Sequence, residues 1–193
     1  MELDENYWSN RYQNNTTGWD IGSISQPLKE YVDQLEDKNI SILIPGCGNS
    51  YEAEYLLQNG FTNIILIDIS ALLCKQLEIK LVAYLHNRLE IICQDFFDHK
   101  GQYDLILEQT FFCALDPLLR KKYAAKMHEL LKPGGKLVGV LFNKNFEGGP
   151  PFAGNENEYR QLFQQQFSIV KMEPCYNSVA PRSGSELFIN FIK

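Results

Sequence analysis

The amino-acid sequence predicts an α/β fold, a doubly wound and mostly parallel seven-stranded sheet with helices on both faces. Short apolar runs alternate with stretches of helical periodicity, as in strand–helix–strand units joined by short connections. The apolar run 40–44 stops at a tight glycine turn, Pro45-Gly46-Cys47-Gly48. A second apolar run ends in Asp68, about twenty residues after that turn, which is the spacing of the ribose-binding carboxylate in dinucleotide folds. These observations indicate a sheet that binds a nucleoside-containing cofactor.

The first half of the chain follows this alternation element by element. Residues 1–23 are aromatic and polar without clear periodicity, and a helix is expected from about Gln26 to Leu35. Apolar runs bounded by turn residues predict strands, and the longer stretches between them predict helices. The expected order is strand 40–44, helix 51–59, strand 63–67, helix 71–86, strand 89–93, a connection at 95–101 and strand 103–107.

In the second half of the chain, apolar side chains at helical spacing predict a helix over 117–131. These side chains are Leu118, Leu119, Tyr123, Met127, Leu130 and Leu131. The segment Lys132-Pro133-Gly134-Gly135 ends the helix, because proline cannot continue it and glycine supplies the turn. The remaining expected elements are strand 136–142, a Gly- and Pro-rich loop at 143–154, a helix near 155–165, and final strands at about 167–174 and 186–192.

The chain is expected to form a single domain over residues 1–193, with a lid and helix over 1–36 and a core over 37–193. A length of 193 residues suits one α/β domain. No internal repeat, low-complexity tract or linker divides the sequence. No apolar run approaches the ~18 residues that would span a bilayer, so no membrane partner is expected.

Charge and cysteine usage narrow the class of protein. A net charge of −6 and a pI near 5.1 argue against a nucleic-acid partner, which needs a basic face. The five cysteines are widely spaced and the three histidines are scattered, which indicates neither a disulfide framework nor a metal site. The start, Met1-Glu2-Leu3-Asp4-Glu5, lacks the basic and apolar regions of an export signal. A cytoplasmic protein, most simply a monomer, is therefore expected.

The glycine turn and three acidic residues follow strands at one edge of the predicted sheet. Gly46, Asp68, Asp95 and Glu108 all lie at the carboxyl ends of strands, where open α/β sheets bind ligands. Asp68 is left for ribose, because Ser70 is the better N-cap of the next helix. Cys47 is interpreted as a small side chain that fills the turn, since no histidine or other base lies near it in the sequence.

Two nucleoside cofactors fit this pattern. A nicotinamide dinucleotide favours Gly-x-Gly-x-x-Gly, but Tyr51 stands at the third glycine position, where close helix–strand packing is needed. S-adenosylmethionine needs a glycine turn for its amino-acid tail, a carboxylate for its ribose and a polar pocket for its adenine, which Gln94-Asp95-Phe96 could supply. A nicotinamide-dependent oxidoreductase and a non-catalytic adenosyl-binding protein therefore stay open as alternatives to a methyltransferase.

Several motifs between about Trp8 and Lys193 resemble those of one family. They are Trp8, Tyr12 and Trp19-Asp20-x-Gly22, then Pro45-Gly46-Cys47-Gly48, Asp95-Phe96-Phe97, Phe111-Phe112-Cys113-Ala114-Leu115-x-Pro117-x-x-Arg120 and Gly148-Gly149-Pro150-Pro151-Phe152. Together they are similar to the thiopurine S-methyltransferase family, and within it to the thiol and halide methyltransferases. This resemblance implies a class I, Rossmann-like methyltransferase fold. The branch has Trp where Tyr12 stands and Tyr where Gln109 stands.

The resemblance implies that S-adenosylmethionine is the cofactor and S-adenosylhomocysteine the product. Cofactor contacts are expected from the lid, the glycine turn and the strand ends. The expected residues are Trp8, Tyr12, Trp19, Gly46, Cys47, Gly48, Asp68, Ile69, Asp95, Phe96, Glu108 and Gln109. An aromatic side chain beside a sulfonium gains about 1–2 kcal/mol of cation–π energy when desolvated.

The resemblance also implies a small-molecule methyl acceptor, namely a thiol, a thiopurine or a halide. The acceptor-pocket candidates are Phe111, Phe112, Arg120, Pro151, Phe152 and Arg182. One of the two adjacent phenylalanines is expected to face the substrate. Arg120 and, as a weaker candidate, Arg182 are expected to face an anionic acceptor. No catalytic base is assigned, because a free thiol is already a few per cent ionised at pH 7.

Overall fold

Seven strands form one sheet in the computed structural model, which describes residues 2–193. Met1, the first residue of the expected lid, lies outside the described residues. The strands are β1 (Ile42–Pro45), β2 (Ile64–Asp68), β3 (Leu89–Cys93), β4 (Tyr103–Gln109), β5 (Leu131–Phe142), β6 (Ser168–Pro174) and β7 (Glu186–Ile192). Their order in the sheet is β3-β2-β1-β4-β5-β7-β6. Strands β1 to β5 are parallel, whereas β7 pairs antiparallel with both β5 and β6. The predicted fold class is confirmed.

Helices separate the strands along the chain. They are α1 (Glu5–Gln13), α2 (Gln26–Asp33), α3 (Tyr51–Gln58), α4 (Ala71–Lys80), α5 (Arg120–Leu130) and α6 (Glu156–Phe163). Short 3₁₀ turns lie at Val82–Tyr84, Phe96–Asp98, Phe112–Ala114, Pro117–Leu119 and Ala180–Arg182. Among residues 2–193, no helix has the length and apolar character needed to cross a bilayer.

The two central strands β1 and β2 are buried along their whole length, as expected for parallel strands covered on both faces. Alternate side chains enter opposite layers of the core. Leu43 packs into the layer that contains α5 and α6, whereas Ile42 and Ile44 pack into the layer that contains α2, α3 and α4. Because β2, β1 and β4 are neighbouring parallel strands, their carboxyl ends lie at the same edge of the sheet.

Helix α1 lies in the segment where the sequence shows no clear periodicity. None of its residues is fully buried, and therefore it has no apolar stripe to reveal it. The Asp4 carboxylate caps the helix by accepting the Tyr7 N–H at 2.9 Å. Ser9 Oγ hydrogen-bonds Ser70 Oγ at 2.8 Å, which attaches α1 to the start of α4.

Two helices and one strand differ in extent from the prediction. Strand β5 begins at Leu131, so the segment 132–135, which was expected to be a turn, lies within the strand. Helix α4 ends at Lys80, and a 3₁₀ turn occupies part of the segment expected to be helical up to residue 86. Helix α5 begins at Arg120, because the Asp116 carboxylate accepts the Leu118 N–H at 2.8 Å and holds a preceding 3₁₀ turn. Leu118, which the periodicity placed on the apolar face, is 89% exposed.

Candidate active site

A cavity of about 900 Å³ opens at the carboxyl ends of β1, β2 and β4. Its volume lies within the range of small-molecule sites. Helix α1 and the loop that carries Trp19, which belong to the predicted lid, line one side of it. On another side lie the loop after β5, which carries Pro150 and Pro151, and the turn that carries Arg182.

The glycine turn after β1 brings backbone directly to the cavity. Gly46 and Gly48 have φ angles of +55° and +52°, in the left-handed region that favours glycine. A Cβ atom on Gly46 would lie 2.2 Å from Cδ2 of Phe111, so the phenyl ring occupies the space a side chain would need. The Cys47 N–H donates to the Ile67 carbonyl at 3.1 Å and fixes the turn to β2.

Cys47 lines the cavity but is a poor nucleophile. Its side chain is buried, and burial raises the pKa of the thiol well above its ordinary value. This agrees with its interpretation as a small residue that fills the turn.

Asp68 lies at the end of β2 and lines the cavity. Its Oδ1 accepts the Ser70 N–H at 3.0 Å and its Oδ2 accepts the Gly48 N–H at 3.3 Å. Ser70 itself caps α4 by accepting the Leu73 N–H at 3.2 Å. Since each carboxylate oxygen can accept more than one hydrogen bond, Asp68 keeps acceptor capacity for a pair of vicinal hydroxyls. Burial raises the pKa of Asp68.

Residues that follow β3, together with Ile69 after β2, form the wall where adenine was expected. Ile69, Asp95 and Phe96 all line the cavity. Asp95 Oδ1 accepts the Phe97 N–H at 2.8 Å, which holds a 3₁₀ turn and leaves Oδ2 without a partner of its own in that turn. The Gln94 amide is engaged with His99 Nδ1 at 2.7 Å, so its side chain is less available to a ligand than the sequence suggested.

Three aromatic side chains of the lid line the cavity: Trp8, Tyr12 and Trp19. The Trp19 ring packs edge-on against Trp8 and Tyr12, with centroids 5.6 and 6.0 Å apart. The Arg11 guanidinium lies 5.3 Å from the Trp19 ring. Burial, followed by the nearby Asp68 carboxylate, raises the pKa of the Tyr12 phenol, which therefore stays protonated.

Asp20 connects the lid to the start of α3, a role that the sequence did not reveal. Its Oδ2 accepts hydrogen bonds from Asn49 Nδ2 and, at 3.2 Å, from the Tyr51 hydroxyl. All three residues line the cavity. The adjacency of Asp20 to Trp19 in the Trp-Asp-x-Gly motif was the available signal.

The acceptor side contains three of the predicted residues, Phe111, Pro151 and Arg182. Arg182 is 8% exposed and its guanidinium lies 5.5 Å from the Phe142 ring. It donates to the Trp19 carbonyl and, at 3.4 Å, to Glu186 Oε1. We call Phe111, Phe142, Phe146, Pro150 and Pro151, which line this side, the acceptor wall.

Two predicted acceptor residues belong to the core instead of the cavity wall. Phe112 is 1% exposed and packs against Tyr123 and Tyr159, with ring centroids 4.9 and 5.4 Å away. Its position agrees with the expectation that only one of the adjacent phenylalanines faces the substrate. Arg120 is buried, forms an ion pair with Glu158 and donates to the Ala153 carbonyl at 2.6 Å. Arg182 is bonded in a similar way but lines the cavity, whereas Arg120 does not, so the expectation that Arg120 faces an anionic acceptor is wrong.

Phe152 and Glu108 also lie away from the cavity surface. The Phe152 ring covers Gly149, where a Cβ atom would lie 2.3 Å from ring carbon Cδ1, and the backbone N–H of Phe152 donates to the Cys113 carbonyl at 2.7 Å. Glu108 is 0% exposed, and its carboxylate is occupied by groups of the protein, so the expected cofactor contact is wrong. Its neighbour Gln109 does line the cavity and accepts the Ser25 hydroxyl at 2.8 Å.

Glu52 is a cavity residue that sequence reasoning missed. It lies in the first turn of α3 and is 6% exposed. Burial raises the pKa of its carboxyl to about 7, and the nearby Arg182 opposes that rise. The only signal in the sequence was its position directly after Tyr51, at the start of the helix that follows the glycine turn.

The cavity suits an adenosyl sulfonium. The glycine turn has no room for a Cβ atom at Gly46, Asp68 presents acceptors, and aromatic rings of the lid are placed for cation–π contact. On a sheet of this order, such a site defines the class I S-adenosylmethionine-dependent methyltransferases. The chain belongs to the thiopurine S-methyltransferase (TPMT) family, whose family model matches residues 3–187. It is an enzyme that uses S-adenosylmethionine, which sets aside the nicotinamide and non-catalytic alternatives.

Related sequences come from plants and bacteria. The chain is 30% identical over 185 residues to probable thiol methyltransferase 2 of Arabidopsis thaliana, covering 93% of this chain and 81% of the relative. It is 28% identical over 189 residues to thiocyanate methyltransferase 1 of Brassica oleracea, covering 95% and 83%. It is 29% identical over 177 residues to a thiopurine S-methyltransferase of Aliivibrio fischeri, covering 83% of each chain.

Solved structures share the fold at low sequence identity. The 1,6-didemethyltoxoflavin-N1-methyltransferase of Burkholderia thailandensis, solved with S-adenosylhomocysteine, has a TM-score of 0.77 at 17% identity, covering 98% of this chain and 86% of that one. A TehB-like methyltransferase from Corynebacterium glutamicum has a TM-score of 0.70 at 15% identity, covering 98% and 97%.

Proposed function

We propose that the enzyme transfers the methyl group of S-adenosylmethionine to a small soft nucleophile, which is a thiol, a thiopurine or a halide. The observation that carries this proposal is the acceptor wall, an apolar surface of aromatic rings and prolines beside a single buried cation, Arg182. Relatives named as thiol, thiocyanate and thiopurine methyltransferases support the same choice.

The proposed cofactor contacts follow from the walls of the cavity. Asp68 accepts the ribose hydroxyls, and Ile69, Asp95 and Phe96 surround the adenine. The glycine turn, together with Cys47 and Gln109, borders the amino-acid tail. The lid residues Trp8, Tyr12 and Trp19 face the sulfonium, where a positive charge gains cation–π energy.

The protein's contribution to catalysis is alignment and exclusion of water. When bound, S-adenosylmethionine supplies an electrophilic methyl group on a sulfonium. The acceptor wall keeps the incoming nucleophile dry, and poorly hydrated anions react faster. Arg182 attracts an anionic acceptor, and its bonds to the Trp19 carbonyl and Glu186 fix its direction. Positioning of this kind accounts for most of the rate in a direct displacement.

The experiment is a methyl-transfer assay with labelled S-adenosylmethionine and a panel of iodide, thiocyanate, small thiols and a thiopurine. Calorimetric titration with S-adenosylhomocysteine runs in parallel. We expect tight binding of S-adenosylhomocysteine and methylation of at least one member of the panel. Binding without transfer to any acceptor in the panel would overturn the proposal.

A matched variant tests the acceptor side. Arg182→Lys keeps the positive charge but loses the planar fork that bonds two partners. We expect the KM for anionic acceptors to rise by a larger factor than the dissociation constant of S-adenosylhomocysteine, which should rise only through the weakened bond to the Trp19 carbonyl of the lid. An unchanged KM would remove Arg182 from the acceptor site.

We further propose that residues 1–193 form one methyltransferase domain with residues 1–36 as its lid, and that it acts as a cytoplasmic monomer. Support comes from the single sheet and from the five cysteines, all present as free thiols. Light scattering of the purified enzyme and fractionation of cells that express it test these points. A stable dimer or an exported product would contradict them.

A further inference from the structure

Glu108 lies near the end of β4 and is fully buried. Its Oε1 accepts the N–H groups of Phe111 at 2.8 Å and Phe112 at 3.0 Å, while its Oε2 accepts the Tyr123 hydroxyl from α5. One carboxylate thus joins the end of β4, the following turn and a helix of the core. All three donors are protein groups, so this carboxylate is available to neither cofactor nor acceptor.

The turn that Glu108 holds is conformationally demanding. Thr110 has a φ of +60°, a region that β-branched residues rarely adopt. Such a conformation persists only where surrounding interactions impose it. The two hydrogen bonds to Glu108 are formed by the residues that directly follow Thr110.

The same turn determines where the Phe111 ring lies. That ring occupies the space above Gly46 and also belongs to the acceptor wall, so it separates the cofactor turn from the acceptor side. Strand β5 approaches Glu108 closely, since a Cβ atom on Gly139 would lie 2.1 Å from the Glu108 carbonyl oxygen. The backbone of Glu108 therefore has little freedom to shift.

We propose that Glu108 is a positioning residue for methyl transfer, whose buried carboxylate holds the 109–112 turn so that the Phe111 ring closes the junction between cofactor and acceptor. The inference rests on the proposed function. It assigns Glu108 an action through Phe111 and no contact with the reacting atoms.

The charged state of Glu108 gives this proposal a pH dependence. Burial raises the pKa of its carboxyl to about 7, and the bonds from Tyr123, Phe112 and Phe111 oppose that rise. The titratable groups that face it are Tyr123, Cys113 and Tyr159, and burial raises the pKa of each of them, so none titrates near neutrality. A protonated carboxyl has one acceptor fewer for its three donors, and Glu108→Gln reproduces that hydrogen-bonding state permanently.

The test compares Glu108→Ala and Glu108→Gln with wild type, using iodide as the acceptor because iodide does not titrate. Glu129→Ala and Glu129→Gln, on an exposed position of α5, are the matched controls. We expect Glu108→Ala to lower kcat by about tenfold or more, as misplacement of a catalytic surface does. The dissociation constant of S-adenosylhomocysteine should stay within about threefold, since its contacts are untouched. At pH 8, kcat of Glu108→Gln should lie between the values of Glu108→Ala and wild type, because glutamine keeps one acceptor oxygen for the turn.

The pH profile separates positioning from general loss of stability. Below neutral pH, wild-type kcat should fall toward the value of Glu108→Gln, and the ratio of the two should change between pH 6 and 8 about the raised pKa. Glu52, which lines the cavity and has a similar pKa, is present in both proteins and cancels in this ratio.

The inference is overturned if the Glu108→Ala enzyme folds and keeps the wild-type kcat. It is also overturned if the folded variant loses only affinity for the cofactor. If Glu108→Ala does not fold, a ratio of wild type to Glu108→Gln that is constant with pH overturns it. Wild type that binds S-adenosylhomocysteine but methylates no acceptor contradicts the proposed function instead, and the two failures are thereby distinguished.

Discussion

Gly46 and Phe111 share a space that accommodates only one side chain. The phenyl ring fills the position where a Cβ atom on Gly46 would lie, and the backbone of Gly46 has a positive φ. Two separate physical reasons therefore require glycine here: backbone conformation and close approach of the ring. At Gly60, only the backbone conformation requires glycine. Its φ is +89°, and no atom lies within 4 Å of a Cβ atom placed on it.

Comparison of Gly46→Ala with Gly60→Ala separates these reasons. Both substitutions should lower the free energy of unfolding by about 1–2 kcal/mol through the left-handed backbone. Only Gly46→Ala should add about 1–3 kcal/mol from overpacking against Phe111, and only it should weaken binding of S-adenosylhomocysteine. Urea denaturation and calorimetric titration measure both quantities. Equal losses of stability in the two variants would show that the ring moves aside freely.

Asp68 is the residue on which the proposed ribose contact depends. Asp68→Ala should weaken binding of S-adenosylhomocysteine by about 1–3 kcal/mol, the range for removing a buried hydrogen-bonding partner. Affinity of the wild type should also fall at acid pH, because burial raises the pKa of Asp68 and the protonated form loses acceptors. Asp104→Ala is the control, since Asp104 bonds Ser41 and Lys132 at the start of β4, away from the cavity. Similar affinity losses in both variants would refute the ribose role.

The sequence predicted some site residues and misplaced others for an identifiable reason. Gly46 and Asp68 were found because a turn glycine and a strand-end carboxylate follow from spacing along the chain alone. Arg120 and Glu108 were misplaced because their partners are remote or face inward. Arg120 pairs with Glu158, 38 residues away in the sequence, and Glu108 turns toward Tyr123 in the core. The direction of a side chain at a strand end depends on tertiary packing. The spacing of residues along the sequence does not determine it.

The first part of the lid, residues 2–23, contains no fully buried residue, and polar contacts attach it to the core. Asp20 accepts from Asn49 and Tyr51 at the start of α3. Arg182 donates to the Trp19 carbonyl from the opposite side of the cavity. An element attached in this way can open without unfolding the core, since little apolar surface is exposed.

Asp20→Ala should therefore affect binding far more than stability. We expect faster dissociation of S-adenosylhomocysteine and a weaker affinity, because the lid loses two hydrogen bonds that hold it over the cavity. The midpoint of urea denaturation should stay close to that of wild type. Stopped-flow displacement and denaturation curves measure the two effects, with Asp4→Ala, which removes only the cap of α1, as the matched control. A large loss of stability without faster dissociation would contradict this account of the lid.

Strands β1 and β2 were more predictable than the helix ends. Both strands are buried on both faces, so each appears in the sequence as a continuous apolar run with clear ends. Helix α1 was not predicted because an apolar stripe marks a buried helix face, and no residue of α1 is fully buried. The start of α5 was misplaced because local capping by Asp116 competes with the apolar spacing of the following residues.

For the molecule as a whole, the buried carboxyls of Glu52 and Glu108 make stability depend on pH, and Asp68, whose pKa burial also raises, acts in the same direction. Burial raises the pKa of both Glu52 and Glu108 from an ordinary value of 4.5 to about 7. Their protonated forms are therefore favoured in the folded protein. Two histidines act in the opposite direction, because burial lowers the pKa of His99 and His128 below 6.5. Stability is thus limited from both sides of neutrality.

The sign of the carboxyl effect follows from linkage. Below pH 4.5 both glutamates are protonated in the folded and unfolded states, and neither changes stability. As pH rises from about 4.5 to 7, the unfolded chain loses these protons and the folded chain keeps them, so the free energy of unfolding falls. Above pH 7 the loss is complete. At 1.36 kcal/mol for each pKa unit, it amounts to about 3 kcal/mol for each carboxyl.

Glu52→Gln and Glu108→Gln should each remove one part of this loss. We expect the wild type to lose more free energy of unfolding between pH 5.5 and 8 than either variant, with the smallest change in the double variant. The histidine contribution is the same in all of these proteins and cancels in the comparison. Glu129→Gln, at a side chain 58% exposed, should follow the wild-type curve. Urea denaturation across this pH range measures these changes. If the free energy of unfolding depends on pH in the same way in all variants, neither carboxyl keeps its proton in the folded enzyme.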